Sequence, residues 1–194
     1  MAIASSSAPK TLLTYEEYMA EDELCQRYDI IDGERIFMTN PTRRHQKIQL
    51  RIANVFLRFE EQAGRGEVIT APCDILITRS PLRTRQPDVI FISNERLALN
   101  PGLDDPAPME HAPELVVEIV SPSESNRALD SKIVDYYTVG VRECWVAYPG
   151  SRTVEVLRLH DTGFDVVFTF AMGETVRSLS FPGLTVSVDA IFAE

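Results

Sequence analysis

Two acidic residues stand inside apolar runs, where an ionised side chain is costly. Glu118 interrupts the apolar run at residues 115–120, and Asp88 follows Pro87 at the head of another. Burying an unpaired carboxylate costs several kcal/mol, so each side chain needs a cation, a proton or hydrogen-bond donors beside it. If the two runs are neighbouring strands, both carboxylates face one cleft. There they suit Mg²⁺, which takes one or two carboxylates and keeps waters for a phosphate substrate. The residues alone leave a second interpretation open, in which each acid pairs with an arginine or with backbone amides.

Lys132 is the candidate cation for this cleft. It is one of only three lysines, with Lys10 and Lys47, in a chain whose other sixteen cations are arginines. It lies at the flank of a predicted apolar helix stripe, from which its ammonium could reach over the end of the sheet toward Glu118. The alternative is an ordinary lysine that covers the rim of an apolar face with its stem.

A histidine and three cations cluster near the start of a predicted long helix, as His45 with Arg43, Arg44 and Lys47. If this helix start faces the cleft, His45 is a candidate for proton transfer or phosphate contact, and a satisfied surface histidine is the equal alternative. The three cations are candidate substrate-binding residues.

Charge is distributed unevenly along the chain. Residues 35–85 contain ten basic and four acidic residues, a net charge of +6 in a chain whose total is -10. The total repels polyanions at long range, whereas the basic segment is compatible with a local phosphate-facing surface. Exposed arginines on a helix more often form only a solvated face, so charge alone does not decide between these interpretations.

Hydrophobic periodicity predicts the elements that must position these residues. A short helix capped by Thr14 precedes a β-hairpin that turns at Asp32-Gly33, and a long helix runs from the Thr42 cap to Gly64. A helix over 125–139 connects a central strand at 114–120 to the next strand at 144–148. Other strands are predicted at 67–70, 74–78 and 88–92, a surface loop at 94–113, and an antiparallel edge meander from 153–159, 164–170 and 184–188.

Several protein classes are disfavoured by what the sequence lacks. No apolar run approaches the roughly 18 to 20 residues of a membrane-spanning helix, and the first residues have no signal-peptide core. The three cysteines are odd in number and widely spaced, which favours a reducing cytoplasm. The glycine-rich fingerprints of dinucleotide and P-loop sites and the GxSxG elbow are absent. We expect a flexible tail at residues 1–13 and a single domain at 14–194.

The order of these parts resembles the PD-(D/E)XK nuclease superfamily, and more closely its Uma-type branch of endonucleases. The matching stretches include YDIIDGE, RRHQ, QPDVIFIS, ELVVEIVSPS and DSKIVDYYTVGVRECWVAYP. The resemblance implies an α/β, restriction-endonuclease-like mixed central sheet flanked by helices, with an antiparallel C-terminal meander. It also implies a metal-dependent endonuclease that hydrolyses phosphodiester bonds in nucleic acid, with DNA the expected substrate and a homodimer the expected assembly.

Site roles follow from the same resemblance. Asp88 and Glu118 would hold Mg²⁺ or Mn²⁺, and His45 would accompany them. The superfamily's usual lysine lies two residues after the second acid, where this chain has Val120, so Lys132 on the next helix would assist the attacking water. Val120 and the net charge of -10 keep a second hypothesis open: a nucleic-acid-binding or assembly protein with a nuclease fold and no turnover.

Overall fold

The computed structural model describes residues 12–21, 26–103, 107–122 and 124–193. The helices are α1 (Tyr15–Ala20), α2 (Arg43–Ala63), α3 (Asn94–Leu97), α4 (Asn126–Thr138) and α5 (Val188–Phe192). The strands are β1 (Tyr28–Ile31), β2 (Glu34–Phe37), β3 (Gly66–Thr70), β4 (Ile75–Arg79), β5 (Leu82–Arg85), β6 (Val89–Ser93), β7 (Leu115–Ile119), β8 (Glu143–Tyr148), β9 (Thr153–His160), β10 (Gly163–Phe170), β11 (Thr175–Arg177) and β12 (Thr185–Ser187).

A six-stranded mixed sheet forms the centre of the protein, in the order β10-β9-β8-β7-β6-β3. β7 and β8 are parallel, and the other neighbours in this sheet are antiparallel. All five residues of β7 are buried, as expected for a strand covered on both faces. The predicted fold class, a mixed sheet flanked by helices, is confirmed.

Helices α2 and α4 cover opposite faces of this sheet. α2 begins at Thr42, whose side chain accepts from the His45 amide, and ends at Gly64 with a left-handed φ of 61°. Its apolar stripe of Ile48, Ile52 and Phe56 packs on one face. The other face packs against α4, which begins after the Ser125 cap and buries Leu129, Ile133 and Tyr136. The two helices therefore approach the end of β7 from its two sides.

A second sheet, in the order β2-β1-β5-β4, contains a strand that the sequence analysis missed. β5 carries two arginines, which hide it from hydrophobic patterning. Arg83 and Arg85 both bond to Asp135 of α4, at 2.9 and 2.7 Å, and Arg85 also bonds to Asp29 of β1 at 2.7 Å. These ion pairs tie the second sheet to α4.

Two other expectations need correction. β12, predicted as part of the edge meander with β9 and β10, pairs instead with β11, a strand that the sequence analysis missed. The segment at 94–113, expected on the surface, contains α3 and a fully buried Met109. Met109 donates to Asp74 O at 2.7 Å and accepts from the Leu76 amide, which fixes this segment along β4.

A flexible tail was predicted at residues 1–13. Residues 1–11 of that segment lie outside the described part of the chain, and so does Cys25. Among the described helices none is both long and apolar enough to cross a membrane. The homodimer stays a prediction.

Candidate active site

Asp88 and Glu118 lie side by side at the ends of two neighbouring strands. Val89 of β6 pairs with Val117 of β7 in an antiparallel register, and the two acids are the next residues on their strands. The Asp88 amide donates to Val117 O at 3.0 Å, and the Asp88 carboxylate accepts from the Ile119 amide at 2.8 Å. Both side chains are almost completely buried. The strand register therefore brings together two carboxylates that are thirty residues apart in the sequence.

Three donors surround the Asp88 carboxylate. Oδ2 accepts from the Ile119 amide and faces His45 Nε2 at 3.2 Å, while Oδ1 accepts from Arg27 Nη1 at 2.9 Å. Burial alone would raise the pKa of Asp88, but the hydrogen bond and charge of His45, the charge of Arg27 and the backbone donor outweigh it. The pKa of Asp88 therefore lies below its usual value, and the residue is ionised at neutral pH.

Glu118 is held from the α4 side of the sheet. Its Oε2 accepts from Lys132 Nζ at 2.8 Å, and its Oε1 accepts from the Tyr136 hydroxyl. Complete burial and the nearby charge of Asp88 raise the pKa of Glu118, against the opposing effect of Lys132 and Tyr136. Glu118 thus takes up a proton more readily than an ordinary glutamate.

Lys132 serves two carboxylates at once. Its Nζ lies 2.8 Å from Glu118 Oε2 and 2.9 Å from Glu124 Oε1, while its side chain is 14% exposed. Burial would lower the pKa of this ammonium, but the two carboxylates outweigh burial and raise the pKa above its usual value. Lys132 is therefore a permanent cation near neutral pH and cannot accept a proton as a general base.

The first turns of α2 approach Asp88 from the opposite side. His45 and Gln49 are one turn apart on this helix, and the Gln49 side-chain amide donates to Asp88 O at 2.8 Å. The ring of His45 is buried, and its Nδ1 has no hydrogen-bond partner among the described residues. Nδ1 of His45 is therefore an enclosed polar atom, whereas Nε2 faces Asp88.

An open cleft of about 390 Å³ adjoins this group of residues. His45 at the start of α2 and Glu124 beyond the end of β7 are part of its wall, and the loop that follows β8 forms the other side, with Pro149 and Ser151. Since His45 contacts Asp88 and Glu124 contacts Lys132, the acids lie directly behind this cleft.

Four of the seven predicted site residues come together here: Asp88, Glu118, Lys132 and His45. Arg44 lines the same cleft, whereas Arg43 and Lys47 line a neighbouring one.

Three contacts escaped the sequence analysis. Tyr136 was not identified as a site residue, although its position four residues after Lys132, on the same helix face, was a usable signal. Arg27 and Glu124 reach the site from a strand start and from a loop, and no spacing in the sequence indicates that.

The donor set fits a hard divalent cation on chemical grounds. Two buried carboxylates adjoin an open cleft, and Mg²⁺ is commonly bound by one or two carboxylates with water and phosphate oxygens completing its shell. Within the described residues, no three His, Cys, Asp or Glu side chains are grouped so as to hold an ion by themselves. Asp88 and Glu118 are therefore the residues that would hold it, in competition with the cations that now face them.

Comparison with known proteins identifies the family and the fold. Residues 14–189 match the model of the Uma2 family, described as "putative restriction endonuclease". The chain belongs to this family. Among solved structures, it is similar to a putative nuclease belonging to DUF820 from Anabaena variabilis ATCC 29413, with a TM-score of 0.73 and 20% identity over 93% of this chain and 98% of that one. At this identity the likeness shows the fold. No curated protein matches the chain.

Proposed function

We propose that this Uma2-family protein is a metal-dependent endonuclease that hydrolyses phosphodiester bonds in nucleic acid, with DNA as the expected substrate. One observation carries the proposal: two buried carboxylates on neighbouring strand ends share their surroundings with a lysine ammonium beside an open cleft. This combination of acids and cation is suited to phosphoryl chemistry, because charge that develops on phosphate oxygens needs a fixed positive environment.

Asp88 and Glu118 would hold Mg²⁺ or Mn²⁺. The bound ion would polarise a phosphate oxygen and lower the pKa of the attacking water. The low pKa of Asp88 keeps one carboxylate ionised. Ile119 and Gln49 fix its position through hydrogen bonds to its side chain and its backbone carbonyl.

Lys132 and His45 would act on the substrate side. Because Lys132 stays protonated, it donates hydrogen bonds that orient the attacking water and balances negative charge as the phosphate becomes five-coordinate. His45, which lines the cleft, would contact the phosphate or transfer a proton, and its Nε2 faces Asp88. Arg43, Arg44 and Lys47 would bind phosphates near the catalytic cleft.

The test is cleavage of supercoiled plasmid, single-stranded DNA and RNA in Mg²⁺ or Mn²⁺, with chelator as one control. Glu118→Ala should abolish cleavage while the far-ultraviolet circular dichroism stays that of a folded protein. Glu67→Ala removes an exposed glutamate on β3 and should cleave as the wild type does. Undiminished metal-dependent cleavage by Glu118→Ala would overturn the assignment.

A second candidate function is nucleic-acid binding without turnover. It is favoured by the observation that all four carboxylate oxygens of Asp88 and Glu118 already accept a hydrogen bond or face a cation within the protein. Val120 at the superfamily's usual lysine position points the same way. This candidate predicts that DNA binding survives Glu118→Ala and chelation, with no cleavage in any metal.

A further inference from the structure

A second cleft, of about 370 Å³, lies beside the catalytic one and is lined by five cations. They are Arg43, Arg44, Lys47, Arg51 and Arg152. None of the described residues that line it is acidic. The cleft is therefore positively charged, although the protein as a whole has a net charge of -10. We refer to it as the cationic cleft.

Helix geometry places the two clefts side by side. Arg44, Lys47 and Arg51 recur at three- and four-residue spacing and so share one stripe of α2. His45 and Gln49 occupy the adjacent stripe and contact Asp88. Arg44 lines both clefts, and its guanidinium donates to Pro149 O in the loop that follows β8. A ligand strand that leaves the catalytic cleft past Arg44 therefore enters the cationic cleft.

Two of these cations hold no other part of the described structure. Among the described residues, Arg43 and Lys47 have no ion pair or hydrogen-bond partner for their side chains, and the first turn of α2 contains no acid. Cations near a helix N-terminus are disfavoured by the helix dipole, so this arrangement costs stability unless an anion is bound. Arg51 differs, because it donates to the carbonyls of Ile191 and Ala193 and so fixes α5 as a wall of the cleft.

Arg152 completes the cleft from the other side. It lies in the turn between β8 and β9 with a left-handed φ of 56°, a conformation that glycine and asparagine adopt more readily than arginine. Guanidinium groups match pairs of phosphate oxygens through parallel hydrogen bonds, and four of the five cations are arginines. The chemistry therefore favours phosphate groups.

We propose that the cationic cleft binds the sugar-phosphate backbone of a nucleic-acid strand where it continues beyond the scissile phosphate. The inference rests on the proposed function and extends it. The substrate is a polynucleotide that is cut internally, and a dinucleotide that fills only the catalytic cleft is a poor substrate. Phosphate contacts position the strand without reading its bases, so this cleft adds affinity and register but no sequence preference.

The first arm of the test is DNA binding, measured by fluorescence anisotropy in the Glu118→Ala background with chelator present. Lys47→Glu and Arg152→Glu should each weaken binding at least about tenfold, and each should reduce the slope of log Kd against log salt concentration by about one or more. Arg158→Glu is the matched control, because Arg158 is exposed at the far end of the same β8–β9 pair and should leave both quantities unchanged. Lys47→Gln and Arg152→Gln repeat the test should a charge reversal fail to fold.

The second arm is cleavage of a length series of oligonucleotides by the otherwise wild-type protein. We expect kcat/KM to rise as the strand grows long enough to reach the cationic cleft, and the rise to disappear in Lys47→Glu. Cleavage of DNA with wild-type length dependence by both charge-reversal variants would overturn the cationic cleft but leave the nuclease proposal intact. If these variants lose DNA binding and no form of the protein cleaves DNA, the proposal for the cationic cleft is supported and the proposal that the protein is a nuclease is overturned. Equal affinity for polyglutamate and DNA would identify an acidic protein as the ligand and overturn the inference.

Discussion

Removing the ammonium of Lys132 tests the electrostatics of the site without needing an activity. In the metal-free protein, Lys132 is the cation that faces the buried Glu118 carboxylate, at 2.8 Å. Lys132→Met keeps much of the side-chain length and removes the charge. Breaking a buried ion pair from one side costs about 3 to 5 kcal/mol, because the remaining charge is left uncompensated. We expect a loss of this size in the free energy of unfolding near pH 8.

The loss should depend on Glu118 and on pH. When Glu118 takes up a proton, the unpaired charge in the interior disappears and only the more exposed Glu124 has lost its lysine, so the destabilisation should shrink as the pH falls through the raised pKa of Glu118. Glu118→Gln combined with Lys132→Met should recover most of the stability. Glu118→Gln by itself leaves Lys132 with Glu124 at 2.9 Å and should cost less than Lys132→Met does. The assay is urea unfolding in chelator of the wild type, both single variants and the double variant.

Two results would refute this reasoning. One is a Lys132→Met protein as stable as the wild type at pH 8. The other is a double variant whose loss equals the sum of the two single losses, since the side chains would then not interact. The same variant offers a further check, because removing a competing cation should tighten Mn²⁺ binding while cleavage becomes slower.

Three other substitutions have expected outcomes. Asp74→Asn should melt at a higher temperature than the wild type, by a difference that grows from about pH 3 to about pH 8. Burial raises the pKa of Asp74, so the wild type loses stability as the pH rises through the folded pKa and this carboxyl ionises, whereas the variant does not. A difference in melting temperature that stays constant with pH would contradict this. Arg85→Met should lower the free energy of unfolding by about 3 to 5 kcal/mol, because it leaves the buried Asp29 without its cation and leaves Asp135 with Arg83 alone. A loss below about 1 kcal/mol in urea unfolding would show that these ion pairs do not clamp α4. Tyr136→Phe should move the acid limb of the pH–cleavage profile to higher pH, because the variant lacks the hydroxyl that lowers the pKa of Glu118. An acid limb that stays in place or moves to lower pH would contradict this role of the Tyr136–Glu118 hydrogen bond.

Part of the site could be predicted because the sequence places an acidic residue inside an apolar run. Glu118 stands in a run that is otherwise apolar on both alternations, and such a run is buried. The partner on α4 was suggested by the scarcity of lysine and by family resemblance, and the structure puts the Lys132 ammonium within hydrogen-bonding distance of Glu118. Local rules also located α2, because Thr42, the apolar stripe and Gly64 agree with one another.

What could not be predicted depends on partners distant in sequence. β5 has too few apolar residues to be recognised as a strand, since its buried Arg85 is compensated by Asp29 and Asp135 on other elements. Arg27 contacts Asp88, which is sixty-one residues later in the sequence, and hydrophobic periodicity cannot predict such a pairing. Met109 was hidden for a similar reason, because an extended segment rich in proline gives no sign that its backbone will pair with a strand.

Mn²⁺ binding, measured by electron paramagnetic resonance on the wild type, Asp88→Asn and Glu118→Gln, tests most directly the claim that these two acids form a metal-dependent catalytic centre. The account predicts saturable binding in the wild type that is lost in both variants and retained in Glu67→Ala, whose exposed side chain lies on edge strand β3 opposite Ile92. Wild-type binding by either Asp88→Asn or Glu118→Gln, or no binding by the wild type itself, would contradict it.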